Sequence, residues 1–322
     1  GQDTNPIAVM PTVALNFPAD ATAAIPGAQT LFQGNWTFGI TPITSSITWS
    51  VRVATTAVSA SSWSEASSAF FPVHPGPSHH LHWSGLPATV AAGSAFSGVL
   101  TVHDQYHNTL STGPNAYASN VTFAAELFGG NQDPEFSPTN NVTFSSTSDQ
   151  GVRNLVSFAK LKKAGSRWLQ AFQTSQPGVN SEVGGFSVRP FITVNPGLPD
   201  SIKADATIIN DINVSVGSLV PNNPGFTDIR GQLTDTFDNP ITSTQTVFVE
   251  VVDVVGAAGQ LQVDNGAGYV PVGLSTRVIS ALDGSVGVST PTIRYFVSST
   301  AGDSARVWIG TMTAPVDRTL FI

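Results

Sequence analysis

The chain has 322 residues, of which 41% are hydrophobic and only 11% charged, and its net charge is −8. That length and apolar content suffice for two or three domains with real cores and argue against disorder, while the acidic balance offers no basic face for nucleic acid or anionic lipid. The lack of cysteine excludes disulfides, thiol catalysis and Cys-ligated zinc, and no apolar run approaches the ~20 residues of a membrane-spanning helix.

Frequent Gly (29) and Pro (22) between short alternating runs predict many strands joined by turns. In residues 1–73 the strand candidates are Ile7–Phe17, Gln29–Ile40, Ile47–Thr55 and Ser68–Val73, with prolines marking edges or bulges. Val58–Ala69, rich in Ser and Ala, reads as a long hairpin loop, with a helical turn as the alternative. Residues 74–194 offer His79–Ser84, Ala95–His103, Asn120–Leu127, Asn141–Ser146, Leu155–Leu161, Arg167–Thr174 and Gly184–Val194. Residues 195–322 offer Ile208–Leu219, Phe226–Thr234, Gln245–Val255, Gly259–Val263, Ser275–Ser280, Thr292–Ser298, Ala305–Thr311 and Arg318–Ile322. Val247–Val255 is nearly continuous and apolar, which predicts a central strand. Asp264-Asn265-Gly266 predicts a tight turn. The start at Gly1 without Met predicts a mature or excised chain.

Three pairs of segments echo one another in the same order. Val73-His74-Pro75-Gly76-Pro77 returns as Val194-Asn195-Pro196-Gly197-Leu198. Asp104-Gln105-Tyr106-His107-Asn108 returns as Asp235-Thr236-Phe237-Asp238-Asn239. Ala164-Gly165 before Trp168 returns as Ala301-Gly302 before Trp308. Their spacing predicts a domain-sized repeat of about 120–135 residues. The repeat divides the chain into a short β domain at 1–73, expected to be atypical and strand-incomplete, and two β-sandwich domains at 74–194 and 195–322. The frame apolar-x-Asp-x-aromatic-x-Asn-x-apolar follows a strand, and its Asp and Asn suit a turn because both bond backbone N–H groups and tolerate left-handed dihedrals. The aromatic is expected to fold back on the core and pin that turn.

This frame, the Val-x-Pro-Gly linkers and the run Leu161-Lys162-Lys163-Ala164-Gly165-Ser166-Arg167-Trp168 resemble bacterial Ig-like tandem repeats of adhesin, S-layer and stalk proteins. The usual family turn, Asp-x-x-Gly-Asn, carries His107 and Asp238 here in place of its glycine. The resemblance implies an all-β fold of tandem Ig-like Greek-key sandwiches and an extracellular or cell-surface location. Such modules act mostly as stalks, spacers and assembly units.

All six histidines lie between His74 and His107. A pairing of residues 79–84 with 96–104 brings His79, His80, His82, His103 and His107 near one junction. The alternatives are a divalent transition-metal site, a pH-sensitive junction, or a solvated hairpin of hydrogen-bonded histidines. Asp104 with Asn108, and Asp235 with Asp238 and Asn239, present too few oxygens for an evident Ca²⁺ cage, so turn capping competes with calcium binding. Asn35, Asn120, Asn141 and Asn213 are glycosylation acceptors by pattern. The six tryptophans offer either core packing or a sugar platform. No nucleophile elbow, metalloprotease helix, phosphate loop or evident pair of acids is present, so no catalysis and no required cofactor are expected. The sequence therefore predicts a structural subunit of a filament, S-layer or adhesin stalk, a homo-oligomer assembled through strand edges without membrane insertion. In one version Ile7–Phe17 or Thr319–Ile322 donates a strand to another copy. A carbohydrate- or receptor-binding module, recognising a cell-surface glycan or receptor, is the alternative.

Overall fold

The computed structural model describes residues 11–16, 40–55, 66–126, 133–204, 226–256, 259–286, 293–296, 304–311 and 319–321. Among these the regular elements are all strands, and no helix is long and apolar enough to cross a membrane. The fold is all-β and Ig-like, with sheets arranged as sandwiches around two apolar clusters. One cluster draws on residues 81–194 and the other on residues 229–309.

Residues 74–194 show how the sequence pattern builds the layers. One sheet runs His80–Ser84, Ala95–His103, Val152–Lys160, Glu135–Phe136. The other runs Asn141–Thr143, Asn120–Ala125, Gly165–Gln173, Phe191–Asn195, Thr89–Ala91, and its last pair is parallel. Alternation decides what each strand buries. Phe96, Leu100 and Val102 point inward from one sheet, and Val121, Phe123, Leu169 and Ala171 from the other. Trp83, Phe123 and Phe158 meet ring to ring at the centre, with centroids 5.3–5.8 Å apart. Truncating a fully buried leucine such as Leu100 to alanine costs about 2–5 kcal/mol.

A shared pairing recurs along the chain. Pro11–Asn16 pairs antiparallel with Ser46–Thr55, Asn120–Ala125 with Gly165–Gln173, and Thr246–Val255 with Ser304–Thr311. In each case a terminal strand then joins the second partner: Phe71–Val73, Phe191–Asn195 and Thr319–Phe321. Thr246–Val255 is central, flanked by Ser275–Ile279 and Ser304–Thr311. Both segments expected to donate a strand are paired within their own chain over their described parts, Pro11–Asn16 and Thr319–Phe321.

Several expected strands change. Phe226–Thr234 is two strands, Phe226–Ile229 and Gly231–Thr234, in different sheets, so the break at Arg230 passes the chain between layers. Gly184–Val194 shrinks to Phe191–Asn195, because Val183 accepts backbone bonds from Phe186 and Ser187 and turns the chain. Gln176–Asn180, Thr89–Ala91 and Tyr269–Gly273 form strands that composition did not announce; Gly and Pro within or beside them conceal the pattern. The turn at Asp264-Asn265-Gly266 closes the hairpin of Gln260–Asp264 with Tyr269–Gly273, and Asn265 N donates to Gly268 O at 3.1 Å. Ala66–Ser67 is a short strand within the expected hairpin loop. Gln29–Ile40, apart from Ile40 itself, and Ile208–Leu219 lie outside the described residues.

Candidate functional site

The two Asp-x-aromatic-x-Asn frames are built alike. Asp104 Oδ1 accepts from the N–H groups of Tyr106 and Asn108 at 2.8 and 2.9 Å. Its Oδ2 accepts from Gly76 N and from Asn108 Nδ2, both at 2.9 Å. Asp235 Oδ1 accepts from Phe237 N and Asn239 N at 2.8 and 2.9 Å; its Oδ2 accepts from Gly197 N at 2.7 Å and Asn239 Nδ2 at 2.8 Å. Each carboxylate is thus ringed by N–H donors and ties the Pro-Gly linker to the turn. Burial pushes the Asp104 carboxyl up, but the bonds from Asn108, Gly76 and Tyr106 outweigh it and leave the group below its ordinary range. The fourth residue of each frame is left-handed: His107 has φ 65° and Asp238 φ 63°, where the family turn carries glycine.

The asparagines reach outside their own turn. Asn108 Nδ2 donates to Ile43 O at 2.6 Å, and its Oδ1 accepts from Ser45 N at 2.8 Å. Asn239 Nδ2 donates to Lys162 O at 2.6 Å, and its Oδ1 accepts from Ala164 N at 2.8 Å. Each frame therefore clasps two backbone groups of a loop more than sixty residues upstream, as well as the linker. Lys163 Nζ adds a bond to Phe237 O. The upstream loop is itself braced. Asp133 accepts from Lys162 N and Lys163 N at 2.8 and 2.9 Å and pairs with the fully buried Arg167 at 2.7 Å.

The aromatics depart from expectation. Phe237 packs beside Gly93 and against the apolar cluster of residues 81–194, not the cluster of its own region. Tyr106 is half exposed and lines a cleft of about 440 Å³ with Pro42, Ile43, His74, His79 and Asn108. The sequence missed the clasp because a turn explains the Asp and Asn locally. The available signal was that the Pro-Gly linker and the frame recur together; in both copies they touch, through Gly76 N on Asp104 and Gly197 N on Asp235.

The histidines gather beside the first frame. His80 lies opposite His103 in the pairing of His80–Ser84 with Ala95–His103. His80 is fully buried although it is not among the residues of the apolar core; the rings of His79, His103, His107 and Phe186 cover it at centroid distances of 4.5–5.5 Å. Its Nδ1 lies 3.3 Å from His79 Nδ1 and its Nε2 3.1 Å from His107 Nδ1. Burial, then the neighbouring imidazoles of His107, His103, His79 and His82, depress its pKa to about 4, so the ring is neutral at pH 7. His103 donates from Nδ1 to His107 O at 3.0 Å, and its pKa is lowered chiefly by burial. His82 is exposed and lies edge-on to His103, 6.2 Å between centroids; His74 borders the cleft. Among the described residues no three His, Asp or Glu side chains already converge as a metal-binding group.

The sequons Asn120-Val121-Thr122 and Asn141-Val142-Thr143 are cross-strand neighbours. Thr143 donates to Asn120 Oδ1 at 2.6 Å and Thr122 to Asn141 Oδ1 at 2.5 Å, and both asparagines are exposed. Asn35 and Asn213 lie outside the described residues, as do Trp36 and Trp63. Trp49 and Trp83 are buried, and the Arg189 guanidinium covers Trp168 at 4.4 Å. These three rings are therefore packed rather than offered as a flat sugar platform.

No family model and no curated protein matches this chain. Similar solved structures include the Escherichia coli adhesin FdeC, 17% identical, covering 99% of this chain and 87% of that one with a TM-score of 0.39. Yersinia pseudotuberculosis InvD is 11% identical, covering 100% and 89%, with a TM-score of 0.37. The S-layer protein rSbsC is 11% identical, covering 98% and 30%, with a TM-score of 0.24. Likeness of this degree says nothing of a ligand or partner.

Proposed function

We propose that this chain is a non-catalytic structural subunit of a cell-surface assembly: a tandem array of Ig-like modules serving as a filament, layer or adhesin stalk. The observation that carries this reading is the clasp, built the same way at two joints. A string of independent binding modules needs only flexible linkers. Here each joint fixes three backbone segments through one Asp and one Asn, and at the second joint both side chains are buried. Such a joint resists bending, which is what a spacer requires. Lateral growth uses strand edges. Among the described residues Phe71–Val73 is paired on one side only, whereas its counterpart Phe191–Asn195 is also covered by Thr89–Ala91.

The test compares native protein with the double variant Asp104→Ala/Asp235→Ala by small-angle scattering and electron microscopy. Native protein is expected to give extended particles of uniform length, or ordered filaments or sheets at high concentration. The variant is expected to give bent particles of broad length distribution. Equal rigidity in both would overturn the reading. The cleft beside Tyr106 favours a second reading, a carbohydrate- or receptor-binding module. A glycan array with native protein and Tyr106→Ala tests it, and binding lost in that variant would establish it.

A further inference from the structure

We infer that the imidazole cluster beside the first joint is a binding site for one first-row transition-metal ion, Zn²⁺ or Cu²⁺, held by His80, His103 and His107. The clasp does not need these histidines. At the second joint Ser201 and Lys203 lie opposite Thr234 and Gln232, Asp238 takes the left-handed position of His107, and the same bonds form without an imidazole. Histidine at position 107 therefore contributes something other than the turn. What it contributes is a ring nitrogen 3.1 Å from His80 Nε2.

Three features fit metal coordination. A buried histidine with only a packing role commonly sets a ring nitrogen on a carbonyl or carboxylate. The bonds of His80 instead bring both of its nitrogens to nitrogens of other imidazoles. The 3.1 Å between His80 Nε2 and His107 Nδ1 is close to the roughly 3.3–3.4 Å that separates two nitrogens bound at about 2.0–2.1 Å to one tetrahedral ion. His103 donates its Nδ1–H to a backbone carbonyl, which fixes the tautomer and leaves the Nε2 lone pair available. That is the outer support ligand histidines usually have. His107 is exposed, so rotation of its side chain can close the site at the edge of the buried His80 ring, while His103, held by its carbonyl bond, already has its ring 5.2 Å from that of His80 and 5.7 Å from that of His107. Neutral imidazoles with no thiolate, and with the nearby Asp104 carboxylate engaged by N–H donors, select zinc, copper or nickel over calcium or magnesium.

The experiment is titration calorimetry of the tag-free full chain with ZnCl₂ and with CuSO₄ at pH 7.5, with metal content after gel filtration and the EPR spectrum of the copper form. His107→Gly is the informative variant, since glycine suits the left-handed turn and the clasp survives. His103→Gln is the second. One ion per chain is expected, with nitrogen hyperfine structure in the copper spectrum, and affinity falling about 10–100-fold or more in each variant. Native protein that retains no stoichiometric metal overturns the proposal, as does binding that both variants leave unchanged. Circular dichroism of the variants separates lost ligation from lost folding.

Discussion

Asn239→Ala isolates the second clasp. Asn239 is buried, and its side chain makes three bonds: to Lys162 O at 2.6 Å, to Asp235 Oδ2 at 2.8 Å, and from Ala164 N at 2.8 Å. Truncation leaves the Ala164 N–H and the Lys162 carbonyl without this partner and removes one of the four donors on Asp235. An unmade bond at a buried group costs about 1–3 kcal/mol. Lys162 and Ala164 are only partly buried, so water recovers some of this, and the expected loss is about 2–4 kcal/mol. The loss should appear in urea unfolding and, more locally, as faster hydrogen exchange at the Ala164 amide. Asn239→Asp should cost more than alanine, because it turns a donor into an anion facing Asp235 and a carbonyl. Unchanged exchange at Ala164, or aspartate no worse than alanine, would refute the clasp as drawn. Asn108→Ala should repeat the pattern at Ser45.

Gly93→Val should destabilise by about 2 kcal/mol or more, seen as a lower thermal midpoint. A Cβ at that left-handed position would lie 2.4 Å from the Phe237 ring. Arg167→Met should cost about 3–5 kcal/mol, because it leaves Asp133 buried without its cation, and should loosen the Lys162–Ala164 loop that Asn239 grips; urea unfolding and hydrogen exchange read both effects. With chelator present, stability should fall with acid. His80 has a folded pKa of about 4 against 6.5 when unfolded, so the unfolded chain takes the proton first and the contribution present above pH 6.5 is lost as pH drops toward 4. His79, His82, His103 and His107 face or neighbour that ring, with the Asp104 carboxylate beyond His103. Urea midpoints at pH 7.5 and 4.5 should differ in native protein and differ less in His80→Leu, where the half-buried His103 still contributes in the same direction.

The strands legible in the sequence were those whose alternation is regular, such as Ala95–His103, where Phe96, Leu100 and Val102 face inward and Ser97, Val99 and Thr101 face outward. Thr89–Ala91 was illegible because three residues in a Gly- and Pro-rich stretch carry no period. The histidine cluster was legible by density alone, and counting outward from the hairpin brought residues near 80 opposite residues near 102; that count set His79 beside His103, whereas the register pairs His80 with His103. The burial of His80 was not legible, since Leu81 and Trp83 mark the opposite face as the core and nothing local announces Phe186 as a cover. The clasp lay in plain view as a repeated motif, yet its partners are backbone atoms, which no side-chain pattern reveals.

That last property has a consequence for how such a chain can change. On the upstream side the asparagine of each frame grips main-chain groups: Ile43 O and Ser45 N at one, Lys162 O and Ala164 N at the other. The two upstream loops, Ile43-Thr44-Ser45 and Lys162-Lys163-Ala164, share no side-chain chemistry, yet both are gripped alike. On the proposed tandem reading, the asparagine's grip asks only for an upstream loop of the right shape, whereas the Lys163 and Phe237 contacts ask for particular side chains. Under that reading, duplication or loss of whole units keeps the asparagine grip while their outer surfaces diverge.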